Sequence, residues 1–498
     1  MTSIADPLVT AFDRLVRRDP RAALLVSPYG RSTAGDVEAL ARVAAAVLGE
    51  AATAPEPEEP VGLQAPNGPA FLAGLLALRR AGCAVLLLDH RTPPLERRRI
   101  AREVGARRAL VVGTGWPAGG NGWHLDELGG RPGAIGLPAG TAVIKTSSAS
   151  SGAARGIAAT AESLLADDRA LTATMGIGPD DRLLATVPFS HSYGLSSLVV
   201  PALARGAALV LPGSDDPFAP LAAAALAGAT VFPTVPAYLG ALARLAEPAP
   251  LPPSLRLVMS AGAPLPAASS ARFRERYGLP VHVFYGASEC GGICYDREGS
   301  AAERGTVGEP VEGVRIEVEP LAGAGPRTPC EGGRVVVRSE ATALGYVPDA
   351  LTRGGRRLGG GRYVTDDLGA WRGGELALTG RLNDLINVKG RKVNPREVER
   401  VLAALPAVED VLVMPAPGGG EREQVVRAVV ACRPGSLAPD EVVAWCRSRL
   451  AEHKVPRSVV LVDEVPRTDR GKVDRQALAR LEPRQTCGRP PRERAAGS

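Results

Sequence analysis

Residues 146–157 read TSSASSGAARGI, a run of small hydroxyl side chains broken by Gly152 and Gly156 and carrying one cation, Arg155. Small residues let a backbone curl until its N–H groups and hydroxyls face an anion, and a nearby guanidinium adds fixed positive charge. The chemistry on offer is phosphate binding. A flexible Ser/Gly linker is the plain alternative, but it leaves unexplained the apolar strand AVI before the run and the helix expected from near Ala161. The run is not a Walker A loop, because no Gly-Lys-Ser/Thr follows at the required spacing. A second glycine pair, Gly113-Thr114-Gly115, follows an apolar strand but leads to Pro117 and further glycines, where a phosphate loop would open a helix. The seven cysteines, Cys83, Cys290, Cys294, Cys330, Cys432, Cys446 and Cys487, form no CxxC pair and have no histidine at zinc-ligand spacing. A reduced, cytoplasmic setting is expected.

The elements that must position such a loop are legible as alternating patterns. Apolar faces at Leu8, Phe12, Leu15 and Val16, then at Val37, Leu40, Val43 and Leu48, predict two helical stretches over 8–49. From 60 to 245, buried strands (84–88, 109–112, 182–186, 207–211) alternate with Ala/Leu-rich helices such as 70–80. That alternation predicts parallel sheets covered on both faces. A Pro-rich connector at 248–253 precedes the strand LRLVMS, the loop SAGAPLP and a further strand ending in YGASE. Residues 314–318 and 333–338 alternate by twos, as half-buried antiparallel strands do, and predict a β-rich subdomain. Toward the C-terminus the pattern restarts as a small α/β unit: a helix over 395–405, strands VEDVLVMP and VVRAVVAC, a helix over 439–450 and strand SVVLVDEV. The charged, Pro-rich segment after Leu481 predicts a disordered tail.

With 498 residues, 45% of them hydrophobic, the chain can bury a large core and exceeds one compact unit. The net charge of +6 is spread out, apart from 97–99 and the tail at 484–494, and lacks the interleaved aromatics of a nucleic-acid patch. No nucleic-acid partner is expected. Asp6 and Asp13 interrupt any apolar signal core, and no apolar run is long enough to span a bilayer.

Several segments, in order along the chain, resemble the motifs of the adenylate-forming (AMP-binding) superfamily, of acyl-/aryl-CoA ligase type. SSASSGAARGI, from Ser147, is similar to that family's T-S-G-S-T-G-x-P-K-G-V signature, with Ala149 for a glycine, Ala154 for the proline and Arg155 for the lysine. VPFSHSYGL resembles the segment that turns a histidine, here His191, toward the acyl group. SAGAPL resembles the loop passing the adenine, with Gly262, Ala263 and Pro264. FYGASE resembles Y-G-x-T-E, with Tyr285 stacked on adenine beside Gly286, Ser288 next to the phosphates and Glu289 holding Mg²⁺. YVTDDLG places Asp367 on the ribose hydroxyls, with Asp366 where a glycine is usual, and TGRLNDLINVKGRKVNPREVE gives Arg381 a ribose contact and Asn383 the hinge position. PRTDRGKVDRQAL ends on the adenylating lysine, Lys472.

The resemblance, covering about residues 8 to 480, implies an N-terminal adenylate-forming domain over 1–380, a hinge at 381–384, a mobile C-terminal lid domain over 385–482 and a tail over 483–498. It implies ATP and Mg²⁺, with Lys472, Arg155 and the Glu289-held cation facing the charge that develops at the α-phosphorus. Ser147, Ser148, Ser150, Ser151, Gly152 and Gly156 would hold the phosphates. Gly390, with Arg391 or Lys392, would receive the pantetheine arm and phosphates of coenzyme A. Peptide-synthetase domains that activate α-amino acids usually carry an aspartate in the segment matching PFSHSYG, and this chain has none. A carboxylic acid without an α-amino group is therefore expected, in a pocket of His191, Phe232, Tyr238, Gly262, Ala263, Gly286 and Gly291. Coenzyme A leads as acceptor, ahead of an acyl carrier protein and an amine. The readings of other classes are a catalytically silent nucleotide-binding scaffold, which the set Glu289, Asp367, Arg381 and Lys472 argues against, and a basic nucleic-acid binder. The acid and the oligomeric state are not legible.

Overall fold

In the computed structural model, which describes residues 6–50, 55–112, 122–130, 135–148, 154–214, 216, 218–247, 250–321, 332–348, 358–388, 391–418, 424–466, 474 and 477–478, the chain forms two units. One comprises Met1–Ile316, Val336–Thr365 and Gly373–Leu376; the other comprises Glu317–Val335, Asp366–Arg372 and Ala377–Ser498.

The first unit holds two large mixed sheets. In the seven-stranded sheet the order is Gly345–Val347, Ala154–Ala159, Val143–Ser148, Ala84–Leu88, Pro60–Gln64, Arg108–Val112 and Trp123–Glu127. Its central strands, Pro60–Gln64 and Ala84–Leu88, are buried at every residue, as parallel strands between helical layers must be. The nine-stranded sheet runs Glu309–Pro310, Gly291–Tyr295, Val281–Ala287, Leu257–Ser260, Val231–Thr234, Arg182–Leu184, Ala208–Val210, Ala23–Ser27 and Gly30–Thr33. This is the α/β architecture, with parallel and mixed sheets flanked by helices, that the alternation predicts.

Two local expectations change. Residues 8–49 hold not only helices Pro7–Arg18 and Ala34–Glu50 but also the antiparallel strands Ala23–Ser27 and Gly30–Thr33 between them. Each is too short to show a period of its own. The hydroxyl-rich run does not join a strand to a helix: Val143–Ser148 pairs antiparallel with Ala154–Ala159, with Thr146 opposite Gly156 and Ser147 opposite Arg155. Helix Ala161–Met175 starts only afterwards, capped by the Thr160 side chain on Ser163 N–H. The second strand, ARGIAA, is built of alanines and one glycine that carry almost no β signal. Gly156 is closely packed there: a Cβ would sit 3.0 Å from both Ile144 Cγ2 and Val104 Cγ1.

In the second unit, strands Asp410–Pro417 and Gln424–Ala431 pair antiparallel, and Ser458–Val462 runs parallel to the latter. Successive side chains of a strand point to opposite faces. Accordingly Val426, Ala428 and Val430 join the core with Val398 and Leu402 of helix Pro395–Ala403 and Val442 and Val443 of helix Pro439–Arg447, whereas Val429 packs with Val460 and Leu478. Among the described residues no helix is long and apolar enough to cross a membrane.

Candidate active site

The first unit's candidate residues gather at the carboxyl ends of parallel strands, where open α/β sheets bind ligands. Strands Leu257–Ser260 and Val281–Ala287 run side by side, with Ser260 opposite Val283. Past the first lies the 261–264 turn, in which Gly262 adopts φ +83° and Gly262 and Pro264 are exposed, with Ala263 half-buried. Past Tyr285, half-buried, and Gly286, exposed, the second strand turns through Ser288, Glu289 and Cys290 and returns antiparallel as Gly291–Tyr295. A Cβ on Gly286 would meet Gly291 O at 2.8 Å, so glycine is what keeps the hairpin this narrow.

Glu289 projects from the turn and accepts a hydrogen bond from the Tyr346 hydroxyl at 3.0 Å. Burial pushes its carboxyl above the usual range, and hydrogen bonds from Tyr346 and Tyr363 with the charge of Lys145 pull it back. Arg155 lies over the ring of Tyr346, 5.8 Å from the centroid, a cation–π distance. Tyr346 therefore joins the cation of the first hairpin to the carboxylate of the second, although neither tyrosine carries a signal in the sequence beyond an ordinary strand aromatic.

Beneath the turn, Lys145 is only 3% exposed and donates from Nζ to the Ser288 carbonyl at 3.0 Å. Asp167, 4% exposed on helix Ala161–Met175, accepts from Gly292 N–H at 2.9 Å and bonds Ser196. Burial lowers the Lys145 ammonium and raises the Asp167 carboxyl, and each is drawn back by the other's charge. The Ser288 hydroxyl accepts from Ser192 Oγ at 2.7 Å, which ties the turn to the segment carrying His191.

That segment is fixed by a residue the motifs do not include. Asn67 donates to Val187 O at 2.9 Å and accepts from Phe189 N–H at 2.8 Å, holding residues 187–189 like a missing strand partner. His191, half-buried, precedes a helix that starts at Ser192 and passes through a π-turn over Leu195–Val199. Gly194 is obligatory, since a Cβ would fall 2.0 Å from Pro188 O. Phe232 is fully buried in the hydrophobic core, edge-on to Tyr238 at 6.0 Å. Gly291, at φ +71°, faces Asp167: its Cβ would lie 2.3 Å from Oδ1.

In the second unit, Asp367 is 8% exposed and accepts from Arg381 Nε at 2.6 Å, while its neighbour Asp366 points the other way to Arg334 at 2.9 Å. The two residues assigned to ribose are thus brought together. Asn394 caps helix Pro395–Ala403 on Arg396 N–H and donates to Thr379 O at 2.6 Å. Ser150, Ser151, Gly152, Gly390 and Lys472 lie outside the described residues, as do the side chains of Ser147, Ser148, Asn383, Arg391 and Lys392.

No cluster of three or more His, Cys, Asp or Glu suited to a metal ion occurs among the described residues. The donor set fits a different arrangement, in which a hard cation shares one protein carboxylate, Glu289, with phosphate oxygens of a nucleotide. Lys145, Asp167, Tyr346, Tyr363 and Asn67 are the residues that motif reading passes over. Only Lys145 leaves a visible mark, a lysine within the apolar strand AVIKTSS.

The sequence pattern of the family described as AMP-binding enzyme matches residues 12–347, and that of the AMP-binding enzyme C-terminal domain matches 397–472. A feruloyl-CoA synthase of an Amycolatopsis species is 30% identical, over 92% of this chain and 96% of its own. A 3-[(3aS,4S,7aS)-7a-methyl-1,5-dioxo-octahydro-1H-inden-4-yl]propanoyl:CoA ligase of Mycobacterium tuberculosis is 29% identical, over 95% of this chain and 98% of its own. Among solved structures, the amide bond synthetase McbA of Marinactinospora thermotolerans superposes with a TM-score of 0.77 at 27% identity, covering 95% of this chain and 99% of its own.

Proposed function

The chain belongs to the AMP-binding enzyme family, and from that premise we propose that it activates a carboxylic acid lacking an α-amino group as its acyl-adenylate. It then passes the acyl group to a thiol, coenzyme A first. The observation that carries this reading is the joining of Arg155, Tyr346, Glu289 and Ser288 at the carboxyl ends of the parallel strands, in a chain whose relatives along nearly its whole length include CoA ligases.

The adenine lies against Tyr285, between Gly262–Pro264 and Gly286. The hydroxyls and N–H groups of the 147–156 hairpin hold the phosphates. Mg²⁺, held by Glu289, supplies neutralising charge on the phosphate oxygens when bound. Asp367 accepts from the ribose hydroxyls beside Arg381. The substrate carboxylate attacks the α-phosphorus and pyrophosphate leaves, and Lys472 with Arg155 faces the charge that develops. The C-terminal lid domain, 385–482, turns about Asn383 to exchange Lys472 for the Gly390 loop, where Arg391 and Lys392 meet the acceptor's phosphates. An amine acceptor is the second reading, favoured by the likeness to an amide bond synthetase; a carrier-protein thiol is the third. The chain is assigned to the cytoplasm, in keeping with Cys83, Cys290, Cys294, Cys432 and Cys446 being buried thiols.

The test is pyrophosphate release from MgATP across a panel of aryl and short, medium and long acyl acids, with coenzyme A or an amine added or omitted. Release that depends on one class of acid establishes adenylation, and the acceptor that accelerates turnover names the second step. ATP binding without release on any acid would favour the silent scaffold.

A further inference from the structure

The pair Lys145 and Asp167 has no part in the chemistry above, and its burial is costly. Lysine and aspartate are almost never enclosed unless paired. Each charge is met by a backbone group of one turn, Lys145 by the Ser288 carbonyl and Asp167 by the Gly292 N–H, and enclosing two charges in this way is a poor device for stability alone. What distinguishes this pair is what it holds. The Ser288–Gly292 turn carries Glu289 at its tip. Lys145 reaches across from the phosphate-binding hairpin to the carbonyl of Ser288 at the turn's entry, and Asp167 reaches from helix Ala161–Met175 to the N–H of Gly292 at its exit. Consecutive glycines, Gly291 and Gly292, let the helix come this close: a Cβ on the first would strike Asp167 at 2.3 Å, and one on the second would strike Leu171 at 2.7 Å. Residues 167 and 171 are one helical turn apart and share a face. The groups that act on the pair include Glu289, Cys290, Ser196 and Asp168.

We propose that Lys145 and Asp167 are positioning residues, a buried clamp of opposite charges that grips the two ends of the Ser288–Gly292 turn and fixes the direction of Glu289 toward the cation of the bound metal–nucleotide complex. Because Lys145 belongs to the strand that leads into the phosphate-binding hairpin, the clamp sets the distance between the groups that grip phosphate and the group that holds the metal. This rests on the assignment of Glu289 as the metal-holding carboxylate.

The experiment uses the full chain and reads binding, with no acid present. Mn²⁺ with ATP serves as the probe, followed by electron paramagnetic resonance and calorimetry, in wild type, Lys145→Met, Asp167→Asn and the double variant, with thermal midpoints measured alongside. Partners that orient a metal ligand are commonly worth about 10-fold in metal affinity. Each single variant is therefore expected to weaken Mn²⁺–ATP binding about 10-fold while leaving metal-free ATP binding within about 2-fold. The double variant, in which neither charge is left alone, recovers thermal stability but not metal affinity, and it carries the test if a single variant does not fold. In a Glu289→Gln background, Lys145→Met costs no further metal affinity, since it acts through that carboxylate. A lowered thermal midpoint with unchanged Mn²⁺–ATP affinity would make the pair merely structural and overturn the proposal. Wild type that binds ATP with no metal dependence would overturn the assignment of Glu289, and the clamp with it.

Discussion

The two hairpins of the candidate site are built on opposite plans. The first, Val143–Ser148 with Ala154–Ala159, has its register held by a regular antiparallel ladder and a close-packed glycine. The second, Val281–Ala287 with Gly291–Tyr295, presents a single carboxylate. Its register shifts between Tyr285 and Gly286, and the turn is held from beneath by buried charge. The difference matches what we propose each hairpin binds, phosphate at the first and a nucleotide-bound cation at the second. A phosphate is met by many weak, distributed donors, so regular backbone suffices. A cation shared with the nucleotide has one protein ligand, and an error in that one direction is not averaged away.

If both hairpins serve mainly to hold the nucleotide, the largest loss should come from outside them. Lys472→Ala is expected to lower acid-dependent pyrophosphate release by about 10²–10³-fold, the usual cost of removing one charge from a developing oxyanion. ATP affinity should stay within a few-fold. Equal loss in Arg155→Ala would break the comparison, because it would give the first hairpin a part in the transition state beyond binding.

Glu289→Gln removes the charge and keeps the shape. It is expected to raise the Mg²⁺ concentration needed for half-maximal rate by about 10–100-fold, while metal-free ATP binding is retained. Tyr346→Phe, which removes the 3.0 Å hydrogen bond to that carboxylate, should move the same titration in the same direction but less.

The glycines sharpen the comparison through stability. Gly291→Ala meets both a left-handed φ of +71° and a carboxylate oxygen 2.3 Å away, and should cost about 3 kcal/mol in urea unfolding. Gly156→Ala meets only side-chain methyls and a carbonyl at 3.0–3.1 Å, which can yield by tenths of an ångström, and should cost about 1 kcal/mol. The reverse order would mean that the ladder, not the charge clamp, is the more constrained structure.

These plans differ in how far they can be read from sequence. Ser288, Glu289 and the run beginning at Ser147 are visible because the chemistry fixes residue types in a contiguous order. The parallel strands 84–88 and 257–260 are visible because burial on both faces leaves continuous apolar runs. The hairpin form of the phosphate run is hidden, since alanine and glycine in ARGIAA satisfy helix, strand and loop alike. Lys145, Asp167, Tyr346 and Asn67 act across 57 to 143 positions of the chain. No local period encodes such pairings; only the fold brings them together. Phe232, expected to line the acyl pocket, is fully enclosed in the core, because periodicity tells which residues of a strand are buried but not whether a ligand or a neighbouring helix does the burying.

The smallest effect should come from charge at the surface, which separates the clamp from ion pairs in general. Arg304 forks onto Glu375 at 2.5 and 2.9 Å, but the arginine side chain is 37% exposed. Hydrogen bonding from Arg304, ahead of that from Thr306, holds the Glu375 carboxyl below its usual range. A carboxyl depressed on folding contributes stability above its unfolded pKa and loses it as pH falls through the lower, folded value. Solvent screening keeps the contribution below about 1 kcal/mol. Arg304→Gln should therefore lower the thermal midpoint slightly at pH 7, and the difference from wild type should shrink as the pH is taken down through the carboxylate range. A deficit as large as that of Lys145→Met, or one that persists when Glu375 is protonated, would mean that burial is not what gives the clamp its strength.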